Sequence, residues 1–120
     1  MTVFRFRPLM LAMLAAAPLA GAQTLHPVNQ RISDEAIHAD HATYQSVQGR
    51  LQKLNEAGRP LADYGMAKAQ CWLDVSFHEY TRNDRSAFPQ AALTESAKLV
   101  RLMEAGNATL PSETPLVNDA

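Results

Sequence analysis

From Ser33 to Gly106 the chain carries prolines only at positions 60 and 89, and between these breaks apolar residues recur at steps of three and four. That is the period of a helix face, and no stretch shows the strict alternation a half-buried strand needs. The segment is thereby constrained to three helices joined by short turns. Ser33 followed by Asp34 and Glu35 supplies an N-cap with acids in the first turn, where the helix dipole favours them. Ile37, His41, Tyr44, Gln48, Leu51 and Leu54–Asn55, with Val47 beside them, then trace one narrow stripe over about six turns. Gly58 suits the left-handed closing position and Pro60 blocks continuation, so the spacing predicts a first helix over 34–57.

A second helix is expected over 61–82. Tyr64, Ala67, Cys71, Val75 and His78 make one face, Met66, Ala69, Leu73, Phe77 and Tyr80 a neighbouring one, and Trp72 lies on the flank. So wide an apolar arc predicts a central helix packed on two sides. After a polar turn through Asn83–Phe88, Pro89 opens a third helix over 89–105, a position where its missing N–H costs nothing. Ala92, Leu93, Ser96, Leu99, Val100 and Met103 form its inner face. Glu95, Lys98, Arg101 and Glu104 form an outer one, pairing as Glu95–Lys98 and Arg101–Glu104. The expected fold is all-α, a three-helix antiparallel bundle or helical hairpin array spanning 33–106.

The ends read differently. Met1–Arg7 holds Arg5 and Arg7 and no acid; Leu9–Ala17 is an unbroken apolar run; Pro18 and Ala20-Gly21-Ala22 follow. A basic start, an apolar stretch and a small-residue site are the three parts of a cleavable secretory signal, with the cut expected between Ala22 and Gln23. The apolar run is too short to span a membrane, which takes roughly 20 residues. No cysteine follows the cut, which argues against lipoprotein processing, and the two arginines are not adjacent, which gives a twin-arginine route no support. Residues 23–32 contain Pro27 and no period and read as a leader; residues 107–120, with Pro111 and Pro115, read as an irregular tail.

Charge narrows the function classes. Lys+Arg number 11 against 12 Asp+Glu, without the basic excess of a protein that tracks nucleic-acid phosphates. Removing the signal leaves nine basic and twelve acidic side chains, a mildly acidic domain with no transmembrane span. One cysteine excludes an internal disulfide framework and a multi-cysteine zinc site.

Few residues invite chemistry. His38 and His41 stand at i,i+3, with His78 as the one candidate histidine on another helix. They define the alternative of a periplasmic small-ligand or metal binder, set against histidines that simply pack beside the stripe. Cys71, Asp74 and His78 share a helix face, but Cys71 and His78 lie about 10 Å apart along the axis, beyond nucleophile–base reach. Cys71 is expected as a small buried hydrophobe. The densest constellation runs through Trp72, Asp74, Glu79, Asn83, Asp84 and Arg85. It has two readings: a recognition surface at the end of the second helix, or Asn83 and Asp84 serving only to close that helix and cap the turn. No cofactor is called for, and neither is an enzymatic activity.

The run Leu61-Ala62-Asp63-Tyr64, Ala67-Lys68-Ala69-Gln70-Cys71-Trp72-Leu73-Asp74, His78-Glu79-Tyr80, Asn83-Asp84-Arg85 and Ala91-Ala92-Leu93 resembles the helical N-terminal region of proteobacterial outer membrane protein A family proteins. Thr114-Pro115-Leu116-Val117-Asn118 resembles the connector that follows it. In that family the exported helical segment precedes a peptidoglycan-binding domain. The chain ends at Ala120, and that domain's Asp and Arg ligand motif is absent, so no peptidoglycan-binding residue carries over. The resemblance implies a stand-alone helical module or a shortened gene product. It would be a non-enzymatic interaction or spacer domain, periplasmic or associated with the outer membrane, with envelope proteins or peptidoglycan as partners.

Overall fold

A computed structural model describes residues 23–106; the expected signal segment, including Ala22, and the tail with its connector lie outside the described residues. The described chain is all-α: a short 3-10 turn, Val28–Gln30, is followed by α1 (Asp34–Glu56), α2 (Tyr64–Thr81) and α3 (Phe88–Glu104). Partners across α1 and α2 run in opposite directions, Asp40 with Tyr80, Tyr44 with Ser76 and Gln48 with Gln70, so the two helices are antiparallel. Ser76 with Pro89 and Ala69 with Ser96 show the same for α2 and α3. The three-helix bundle expected from the periodicity is the fold.

The helix ends follow local chemistry. Ser33 Oγ accepts from Ala36 N at 3.1 Å and caps α1. Asp63 caps α2 by accepting from Met66 N at 3.2 Å, which starts that helix at Tyr64 and leaves Leu61 and Ala62 in the preceding turn. Pro89 sits in the first turn of α3. At the other ends, α1 and α2 close with the same paired hydrogen bonds. Gly58 N reaches Asn55 O and Arg59 N reaches Leu54 O; Asn83 N reaches Tyr80 O and Asp84 N reaches Glu79 O. This closure needs a left-handed residue, supplied by Gly58 at φ 118° and by Asn83 at φ 67°.

Which helix is central differs from the expectation. α3 is buried around most of its circumference, at Pro89, Ala92, Leu93, Glu95, Ser96, Ala97, Leu99, Val100 and Met103. The small side chains Ala92, Ser96 and Ala97 permit this, and Ser96 Oγ donates to Ala69 O of α2 at 2.7 Å. α2 packs on one side only, through Gly65, Met66, Ala69, Leu73, Ser76 and Tyr80. Its other apolar face is open: Tyr64 is 66% exposed, and Ala67, Cys71 and His78 are exposed with it. Cys71 is therefore a surface thiol rather than the buried hydrophobe expected.

Of the two expected charge pairings on α3, one is kept and one changes. Glu95 is 7% exposed, not on an outer face, and keeps Lys98 Nζ at 3.1 Å. Glu104 turns from Arg101 to Arg50, which binds it through two nitrogens at 2.6 and 2.9 Å and ties α1 to α3. Leu25, Tyr44, Val47, Leu51, Met66, Leu73, Leu93, Leu99, Val100 and Met103 form the continuous core.

Leu93→Ala is expected to cost about 3 kcal/mol in urea unfolding, because Leu93 is fully buried. Asn83→Gly is expected to be neutral or slightly stabilising, whereas Asn83→Val should lose about 1–2 kcal/mol, since a branched side chain resists positive φ.

Candidate functional site

The residues that organise one end of the bundle begin in the leader. Far from trailing loosely, Gln23–Ile32 is tied to the helices at several points. Leu25 is 4% exposed in the core, its N–H donates to Gln90 Oε1 at 2.7 Å, and Gln90 Nε2 donates to Gln23 O at 3.2 Å. Pro27 opens the 3-10 turn, with Gln30 N on its carbonyl at 2.8 Å. The lack of periodicity here marks a segment held by single anchors rather than by a face.

The strongest anchor is Asp40 of α1, whose side chain is fully buried. Its Oδ2 accepts from Tyr80 Oη at 2.6 Å, and its Oδ1 accepts from His26 N at 3.0 Å and His26 Nδ1 at 2.8 Å. A carboxylate has no hydrogen to give, so Nδ1 carries the proton. Burial pushes the Asp40 carboxyl up, but the hydrogen bonds from Tyr80 and then His26 outweigh it and hold the group below the usual carboxylate range. Burial, and then the bond to Asp40, drives the Tyr80 phenol well above its ordinary value. Beside them a second relay crosses three elements. Ser76 Oγ donates to Pro89 O at 2.6 Å, so its one hydrogen is used and Tyr44 Oη donates to it at 2.7 Å. Burial pushes the Tyr44 phenol up to about 12.

Asp40 was not legible as a core residue. The expected α1 stripe through Ile37, His41 and Gln48 is rotated toward Ala36, Asp40, Tyr44, Val47 and Leu51. Only the i,i+4 step from Ala36 to Asp40 and on to Tyr44 signalled it.

Above this knot lies a pocket of about 330 Å³, where the leader, the start of α1, the end of α2 and the α2–α3 turn converge. Arg31, His41, Tyr80, Asn83, Asp84 and Arg85 line it, with Val28 and Ile37 as apolar walls. Arg31 is held in place: its Nε donates to His26 O at 2.7 Å and its guanidinium lies over the Tyr80 ring at 5.4 Å. Asn83 and Asp84 do close the helix and cap the turn. Asp84 Oδ1 accepts from Ser86 N at 2.8 Å, and the bonds from Ser86 hold its carboxyl below the usual range.

The six residues of the expected recognition surface therefore divide. Asn83, Asp84 and Arg85 line this pocket together, and Glu79 O accepts the Asp84 N–H beside it. Asp74 accepts from Gln70 at 2.9 Å and borders a separate groove between α1 and α2. Trp72, two residues earlier and so about 200° round the helix, packs half-buried against the core. Its indole N–H is buried without a partner.

The histidines stay apart as well. His38 and His78 are exposed, and His41 packs edge-on to Phe77 at 5.2 Å. Among the described residues no group of three or more His, Cys, Asp or Glu side chains is placed to hold a metal ion.

Asp40→Asn is expected to destabilise the bundle by about 2 kcal/mol at pH 7, because a hydrogen-bonded charge is lost inside the protein. With its folded carboxyl depressed, Asp40 contributes stability that is present above the unfolded value near pH 4 and disappears as pH falls through the folded one. Chemical unfolding across that range should show a shallower acid loss in Asp40→Asn than in the parent, with the residual slope coming from Asp63 and Asp84.

Compared with known proteins, the chain matches no family model, no curated protein and no solved structure.

Proposed function

We propose that this chain is an exported, non-enzymatic helical module of the bacterial cell envelope, acting as an interaction domain near the outer membrane or peptidoglycan. The observation that carries this reading is the corner pocket. The leader, α1 and the end of α2 are joined through the Asp40 hydrogen bonds to form it, yet the guanidinium side chains lining it, Arg31 and Arg85, take part in no ion pair among the described residues. A surface built so firmly and left so open suits recognition. The signal-like first 22 residues support export, and the likeness of the second helix and following turn to outer membrane protein A family proteins supports the envelope. No helix among the described residues is long and apolar enough to cross a membrane.

Two measurements test this. In a bacterial host the full chain is expected in the periplasmic or outer-membrane fraction, with an intact mass starting at Gln23. That protein should co-sediment with purified sacculi or be retained on envelope extracts, and the double variant Asp84→Ala/Arg85→Ala should weaken retention at least about fivefold. Cytoplasmic full-length protein contradicts export; equal retention of parent and double variant contradicts the corner as the contact surface.

A further inference from the structure

Arg31 is the feature of the corner that local structure does not use up. Its Nε is fixed on His26 O and its plane is stacked over Tyr80, while its terminal nitrogens meet no acceptor among the described residues. A guanidinium held flat in one place has lost most of its side-chain entropy before any ligand arrives, and its planar fork matches a two-oxygen anion. Arg85 lines the same pocket, is exposed, and makes no hydrogen bond or ion pair among the described residues. Asp84 is the carboxylate among the described lining residues, and one of its two oxygens, Oδ1, accepts from Ser86 N.

The charge balance selects the ligand. Among the described residues two guanidiniums face one carboxylate in the lining, with the Asp40 carboxylate buried behind Tyr80. A carboxylate brings one negative charge to the two guanidiniums, whereas a phosphate dianion would bring excess charge up against Asp84 and the buried Asp40. Val28 and Ile37 add apolar walls, and about 330 Å³ accommodates a small organic group rather than a bare ion.

We infer that the corner pocket captures a carboxylate carried on a small aliphatic group, with Arg31 as the bidentate contact and Arg85 as the second cation. The inference rests on the reading of the corner as the binding surface and names what that surface recognises. Two sources present this chemistry: the free C-terminus of a peptide and a free amino acid, whose ammonium group Asp84 would receive.

The test is titration of the exported protein, followed through its backbone amide NMR signals. The probes are acetyl-alanyl-alanine, its C-terminal amide, free alanine and inorganic phosphate. Acetyl-alanyl-alanine, free alanine or both are expected to shift the amides of Val28, Arg31, Ile37 and Asn83 and to saturate in the millimolar range or below; the C-terminal amide should bind at least about tenfold more weakly than the better of them. Whichever carboxylate binds more tightly identifies the source. Arg85→Gln should weaken binding by at least about threefold with an unchanged melting temperature, because Arg85 supports nothing in the fold, whereas Arg31→Gln should lose binding and some stability. Amide and carboxylate forms binding alike, phosphate binding more tightly than either carboxylate, an indifferent Arg85→Gln, or no shift at about 20 mM carboxylate would each overturn the inference. Retention on sacculi or envelope extracts that persists without carboxylate binding leaves the interaction reading standing and removes this one alone.

Discussion

A carboxylate taken fully out of water is tolerated only where its lone pairs are filled, and Asp40 meets that condition with three hydrogen bonds from two other parts of the chain. One oxygen takes the Tyr80 hydroxyl from the end of α2; the other takes the backbone and ring N–H of His26 from the leader. The inner wall of the corner pocket depends on that arrangement. Because His26 is held, its carbonyl is positioned for Arg31; because Tyr80 is held, its ring supports the Arg31 guanidinium. The pocket is thus the outer surface of a buried hydrogen-bond knot. Its rigidity comes from the fold rather than from the exposed side chains that line it.

The bundle is held differently along its length. Toward the Asp40 end, α1, α2 and the start of α3 are joined by polar relays, Tyr80 to Asp40 and Tyr44 through Ser76 to the Pro89 carbonyl. Further along, Val47, Leu51, Leu73, Leu93, Val100 and Met103 supply ordinary apolar packing, closed by the two-pronged Arg50–Glu104 contact. Polar relays fix register and geometry, while apolar packing supplies most of the free energy. The corner pocket lies at the end where these relays fix the geometry.

The helices were legible because their signals are local. Ser33, Gly58, Pro60, Pro89 and Gly106 act within a turn of where they stand, and the inner face of α3 is an unambiguous stripe. What escaped sequence reading depends on distant partners. Asp40 is an acid whose place inside is set by residues 14 and 40 positions away, so nothing nearby distinguishes it from a solvent-facing one. The leader shows no period because Leu25, His26 and Arg31 each act singly. α2 offered two apolar faces with no local reason to prefer either; the small residues of α3 decide it, leaving Cys71 on the surface. At the site, Asn83, Asp84 and Arg85 were visible as a cluster, but Arg31 and His41 join them only through the leader and α1.

The leader is an integral part of the bundle, secured by Asp40. Amide hydrogen exchange on the purified protein tests this docking, because the Leu25 and His26 N–H groups have acceptors only if the leader is docked. Both are expected to exchange at least about a hundredfold more slowly than an unstructured chain, and His26 is expected to lose this protection in Asp40→Asn. Free-chain exchange at Leu25 and His26, with the α3 amides still protected, would contradict it.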